Sequence, residues 1–157
     1  MREILFRGKQ KSNGNWVHGD LSYHRDGRVF IRCWDRLDFD PAYNAYEVNP
    51  ETVGQFTGLT DKNGKKIFEG DVFEFPDEIF ESYYTSCGTE YNSWEIKNYG
   101  VVGYNEDYGR YDFVQYKFDN NAVETDLHEN KYLEFADFVN VLEVIGNIYD
   151  NPELLEV

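Results

Sequence analysis

Two groups of side chains in this sequence have types and spacing that could support chemistry. Asp61-Lys62-Asn63-Gly64 has the composition of a calcium loop. An EF-hand loop places glycine at its sixth position and a bidentate glutamate at its twelfth. Counted from Asp61, the glycine is fourth and the twelfth residue is Val72, so the spacing excludes that site. What remains is a hairpin tip with solvated lysines, where Asn63 and Gly64 suit the left-handed backbone of a tight turn. His18, Asp20 and His24 could share one face of a strand, but Tyr23 to Gly27 reads as a turn and the other histidine, His128, is remote. A polar outer face explains them better than metal binding or acid–base work.

Nucleophilic and phosphate chemistry lack their motifs. There is no G-x-S-x-G elbow and no S-x-x-K, and Cys87 in Tyr-Thr-Ser-Cys-Gly-Thr has no basic neighbour to lower its pKa. Cys33 lies beside Arg32, yet a small apolar filler in the core is the better reading. Neither G-x-x-x-x-G-K-[ST] nor G-x-G-x-x-G occurs. The expectation is a protein that is not an enzyme and has no cofactor and no metal. Two cysteines are too few for a disulfide framework, and with no long apolar segment at the start or elsewhere the chain reads as cytoplasmic and not membrane-bound.

Charge divides the 157 residues unevenly. Residues 1–70 hold 11 Lys/Arg against 10 Asp/Glu, and residues 71–157 hold 4 against 20, so the halves carry +1 and -16 of the total of -15. A phosphate backbone is repelled by such a chain, which disfavours nucleic acid as a partner. Arg2, Arg7, Lys9 and Lys11 beside Phe6 and Trp16 form the one local exception, diluted by Glu3 and Asp20. The two unlike halves are expected to attract each other, within one subunit or between subunits.

The elements needed to position these residues are strands. Aromatics make up 18% of the chain, mainly 13 Tyr and 12 Phe, and favour pleated, half-buried surfaces. Ile4 to Lys9, Trp16 to Leu21 and Arg28 to Arg32 read as strands of an antiparallel meander, separated by turns at Asn13-Gly14 and Asp26-Gly27. Asp35 to Tyr46 reads as a connection, and Pro50 marks a turn or short helical bend. Gln55 to Thr60 and Lys65 to Phe68 flank the Asp61–Gly64 tip, and Gly70 in Glu69-Gly70-Asp71 re-aims the chain into Val72 to Phe75. Pro76 to Tyr99 has no clear period and reads as an excursion from the core, with Tyr83, Tyr84, Tyr91 and Trp94 as candidate protein contacts. Strands resume at Gly100 to Tyr104, Tyr111 to Phe118 and Val141 to Tyr149, with a short helix possible near Glu129 to Phe138. Asn151 and Pro152 resemble a helix N-cap and first position, and Leu154 and Leu155 must dock on the body or on a second subunit to hold so short a helix.

The fold class read from these elements is mainly β: a small antiparallel barrel-like or highly bent sheet domain with few short helices. The domain reading is one domain over 1–157, divisible into an N-terminal β-meander at 1–50 and a small β-barrel at 51–157 with an insert at 76–99.

Three stretches taken together carry a family resemblance: Arg2-Glu3-Ile4-Leu5-Phe6-Arg7-Gly8-Lys9; Thr52 to Leu59 with Asp61 to Lys65 and Ile67-Phe68-Glu69-Gly70-Asp71; and Glu143-Val144-Ile145-Gly146-Asn147-Ile148-Tyr149-Asp150-Asn151-Pro152-Glu153-Leu154-Leu155. In this order they resemble the YopX-like family of bacteriophage and prophage proteins over nearly the whole chain. The resemblance implies a phage-derived, cytoplasmic, mainly β protein that self-associates, in a family without an established activity, and it transfers no catalytic residue. The function expected is a non-enzymatic, homo-oligomeric module that binds a host or phage protein. The alternatives are an acidic, nucleic-acid-mimicking inhibitor of a nucleic-acid enzyme and, more weakly, a small-barrel nucleic-acid binder.

Overall fold

The computed structural model describes residues 3–33, 44–117 and 135–156, with backbone alone for 76–85, 90–96, 116, 137 and 138. Turn chemistry and alternation build the first sheet. Strands β1 (Phe6–Lys9), β2 (Trp16–Tyr23), β3 (Val29–Arg32) and β4 (Ala45–Val48) follow one another as a meander. A 3-10 turn at Pro50–Thr52, capped by the Asn49 side chain, leads into β5 (Gly54–Thr60) and β6 (Lys66–Phe68). The sheet order is β4-β3-β2-β1-β5-β6, so β1 pairs with both β2 and β5 and carries the meander into the second hairpin. Gly14 and Gly27 take positive φ at the first two turns.

Strand β4 begins inside the stretch read as a connection, at Ala45 and Tyr46, and runs on to Val48; four residues among polar neighbours give too little alternation to announce a strand. A bridge between Gln10 and Val48, with the Asn49 amide donating to the Lys9 carbonyl, bends β4 back towards the end of β1. Val17, Val29, Ile31, Cys33 and Val48 are buried inside that bend. Cys33 is thus a core filler.

The second sheet comprises β7 (Asp71–Thr85), β8 (Gly88–Asn105), β9 (Arg110–Lys117) and β10 (Val144–Asn147) in the order β10-β7-β8-β9. A short helix α1 (Phe135–Val139) precedes β10, and a 3-10 turn at Pro152–Leu154 follows it. Helix was expected over 129–138; residues 129–134 lie outside the described residues. Ile67 of β6 joins Phe73, Phe75, Val102, Phe113, Phe135, Val139 and Val144 in one buried cluster, so the first sheet contributes to the core of the second. Burying each such phenylalanine is worth about 2 kcal/mol. The fold is mainly β, two antiparallel sheets with short helical turns, and the bent-sheet form of the expectation holds; among the described residues no sheet closes into a barrel.

Three local readings are corrected. The segment 76–99 is regular: its residues are strand in β7 and β8 except for the Ser86-Cys87 loop. Period-two alternation is imprinted by a buried face, and backbone pairing past the core does not require it. At the Asp61–Gly64 tip Gly64 takes positive φ but Asn63 does not. The buried Asp61 carboxylate organises the turn instead, accepting from the Asn63 amide at 2.8 Å and the Lys65 amide at 2.9 Å. Asn151 makes no side-chain cap; its amide group donates to Glu153, and the turn is 3-10.

Candidate functional site

The three stretches that carry the family resemblance meet in space. On β1, alternation sends Arg7 to the side opposite the meander core, and Arg7 is 7% exposed. Its Nη1 lies 2.6 Å from Oδ1 of Asp71, the first residue of β7, which is 1% exposed. Nη2 donates to the Glu69 carbonyl at 2.9 Å, and the guanidinium lies over the rings of Trp16 at 4.7 Å and Phe68 at 5.0 Å. The second Asp71 oxygen accepts from the Phe68 amide at 2.8 Å. Arg7 Nε is buried without a hydrogen-bond partner. Burial raises the Asp71 carboxyl above its usual value, against the pull of Arg7 and the Phe68 amide.

Gly70 makes the approach possible. At φ +83°, it donates its amide to the Val102 carbonyl on β8 and accepts at its own carbonyl from the Ile148 amide. A Cβ there would meet the Tyr149 ring at 3.0 Å. Tyr149 packs 5.9 Å from Trp16, ring to ring, and burial pushes its phenol up.

Next to it, Asp150 accepts from Trp16 Nε1 at 2.6 Å, from Lys9 Nζ at 2.5 Å and from Asn147 Nδ2 at 2.9 Å. Burial pushes the Asp150 carboxyl up, but those hydrogen bonds outweigh it and hold the group at about 2. Beyond this joint, Asp61 ties the β5–β6 tip to β10 by accepting from the Val144 amide at 3.2 Å, and Lys62 pairs with Glu143 at 3.1 Å. Three donors overcome burial and lower the Asp61 carboxyl.

These contacts place the attraction between the basic first half and the acidic second half within one chain. Arg7 and Lys9 are occupied by carboxylates of the second half, and Lys11 pairs with Glu47 at 2.7 Å. Arg2, the remaining residue of that basic run, lies outside the described residues. The polar atoms of the joint are turned on one another, and their arrangement holds two sheets together. Sequence reasoning weighed Arg7 as part of a basic surface and Asp61 as the start of a calcium-like loop without finding the contacts they make in the fold, and it missed Asp71 and Asp150. The one signal for Asp71 was its place immediately after a glycine bend and before an apolar strand; nothing local marked its partner 64 positions away.

His18 of β2 packs on Phe68, with ring centroids 5.3 Å apart, and His24, in the turn after β2, pairs with Asp26, so the two histidines serve separate contacts. Among the described residues no group of three His, Cys, Asp or Glu could hold a metal. No helix there is long and apolar enough to cross a membrane.

The aromatic residues expected as contacts sit on the β7–β8 ribbon. β10 pairs with β7 at Asp71–Phe73 and β9 pairs with β8 from Tyr99 on; between Pro76 and Thr85 and between Thr89 and Ile96, among the described residues, the two strands pair only with each other. Tyr83 stands opposite Glu90, Tyr84 opposite Thr89, Tyr91 opposite Ser82 and Trp94 opposite Ile79. Alternation divides them into two sets of positions, Tyr83 with Trp94 and Tyr84 with Tyr91. Cys87 is exposed in the connecting loop. Leu154 and Leu155 are half-buried, with Leu154 beside Gly146 of β10 and Lys117 Nζ donating to the carbonyls of Leu154 and Glu156.

Residues 5–156 match the family described as YopX protein. The chain belongs to the YopX family. Its joint therefore lies within the matched span, from Arg7 to Asp150. The crystal structure of protein EF1440 from Enterococcus faecalis is similar at 19% identity, covering 99% of this chain and 100% of that one, with a TM-score of 0.42. No curated protein matches the chain.

Proposed function

We propose that this YopX protein is a non-enzymatic, phage- or prophage-derived accessory protein of the host cytoplasm that self-associates and binds another protein through the β7–β8 ribbon. The observation that carries this reading is the ribbon itself, two strands that continue past the last residues paired to β9 and β10. A two-stranded ribbon is marginal in water, and its outer backbone groups are a template for a further strand. Tyr83, Tyr84, Tyr91 and Trp94 add side chains that give large contact area at small entropic cost. Enzymatic chemistry has no support at residue level: buried Asp71 is engaged with Arg7, and buried Asp61 with backbone amides.

Phe75 and Asn98 are register partners, so residues 76–97 can be replaced by a two-residue Asn-Gly turn that leaves the four-stranded sheet closed. The test is affinity capture from infected or lysogenic host cells with the full chain and with this ribbon-replaced chain, together with the mass of each in solution. The reading expects an oligomeric full chain and a captured protein that the ribbon-replaced chain loses. A monomer that captures the same proteins with or without the ribbon overturns it. Capture of a nucleic-acid enzyme, released by competing DNA, would instead mark an acidic decoy.

A further inference from the structure

Residues 76–96 contain five carboxylates, Asp77, Glu78, Glu81, Glu90 and Glu95, and no Lys, Arg or His. The register places Glu78 directly opposite Glu95. Like charges facing each other across an antiparallel pair destabilise it, and within 76–96 there is no cation to compensate; Lys97, at the base of the ribbon, is the nearest one in sequence. Lys97, just beyond, pairs with Glu74 at 2.9 Å. The joint shows the contrasting use of acid, where each carboxylate meets a donor of the same chain.

We infer that the ribbon accepts a lysine- or arginine-rich extended segment of another protein, added as a third strand along one of its edges. This deepens the reading given under Proposed function and rests on it. Two independent features converge on that partner. Among the described residues, the strands offer outward backbone donors and acceptors to an extended chain, as in β-strand addition. The facing glutamates and the surrounding carboxylates select positive charge on that chain. A second copy of the ribbon is the poorer occupant, because it brings five more carboxylates to the same edge. Addition of a third strand also turns a marginal ribbon into a three-stranded sheet.

The test uses three synthetic peptides of equal length: alternating Lys-Val, alternating Glu-Val, and a Lys-Val peptide with proline at alternate valines, which keeps the charge but cannot join a ladder. Binding is read by fluorescence anisotropy at physiological salt on the full chain, on a Glu78→Gln/Glu95→Gln variant and on the ribbon-replaced chain. The Lys-Val peptide should bind the full chain, with about tenfold weaker binding to the double variant and to the proline peptide, and with no binding to the ribbon-replaced chain. The Glu-Val peptide should not bind. Equal binding of the two lysine peptides overturns strand addition, and equal binding to the ribbon-replaced chain overturns the location. An oligomer of the full chain that becomes monomeric on ribbon replacement and refuses the Lys-Val peptide assigns the edge to a second copy and overturns the basic partner. Peptide binding lost while ribbon-dependent capture from cells persists would refute this partner chemistry alone. Ribbon-independent capture would refute the broader reading.

Discussion

At one end of β7 Asp71 lies buried against Arg7, and further along the same strand Glu78 stands opposite Glu95. In the joint, acid is matched by donors contributed from β1, the Phe68 amide, Trp16 and Asn147, so the charges lock the relative position of two sheets. In the ribbon, acid faces acid and the strands have only each other as described partners. The contrast separates the acid that the family signature uses to hold the fold from the acid carried by the ribbon. The signature stretches converge on a fold-holding contact, while the ribbon leaves acid opposite acid in its register, the feature on which the proposed basic partner rests.

Breaking the joint should produce the largest effect. Arg7→Ala leaves Asp71 buried and unpaired and should cost about 3–5 kcal/mol, read by denaturant unfolding. Replacing both members, Arg7→Met with Asp71→Leu, should recover most of that loss, because removal of a buried pair is far cheaper than removal of one partner. If the single and double variants are equally unstable, the joint is not an electrostatic lock.

Asp61→Ala removes one acceptor from three backbone donors and should cost about 3 kcal/mol by the same measurement. Gly70→Val adds a side chain at φ +83° against Tyr149 and should cost more than 2 kcal/mol, roughly, whereas Gly64→Ala, in open space at φ +80°, should cost about 1 kcal/mol. A difference near zero between the two would mean that the Gly70 bend is no tighter than an ordinary turn.

Acid sharpens the comparison because the carboxylates of the joint and the β5–β6 tip respond with opposite signs. Asp61 and Asp150 are lowered in the folded protein, so their contribution is present above the ordinary value of 3.8 and is lost as pH falls, for Asp150 towards about 2. Asp71 is raised, so its own contribution declines as pH climbs through its folded value. The net expectation is acid destabilisation below about 3.8, and Asp150→Asn should flatten the curve there when unfolding is followed by circular dichroism. The smallest effect belongs to the ribbon: its replacement should alter core stability by less than about 1 kcal/mol, and Glu78→Gln should stabilise the full chain by about 0.5 kcal/mol. A collapse of the fold on ribbon replacement would remove the distinction between the two regions.

Local chemistry determined a good deal by itself. Asn13-Gly14, Asp26-Gly27 and the glycine at 64 set hairpins, and alternation in Trp16 to Tyr23 and Val29 to Arg32 set which residues enter the meander core, because those signals act over a few residues. The sequence also carried the family through three stretches whose purpose it did not disclose. Only the tertiary structure decided that Arg7 meets Asp71, that Lys9 and Trp16 meet Asp150, and that Asp61 reaches β10, since each contact joins positions more than 60 residues apart. It also decided that the tyrosine-rich stretch is a paired ribbon with Glu78 facing Glu95. Register is a relation between two strands, and no pattern within either strand alone encodes it.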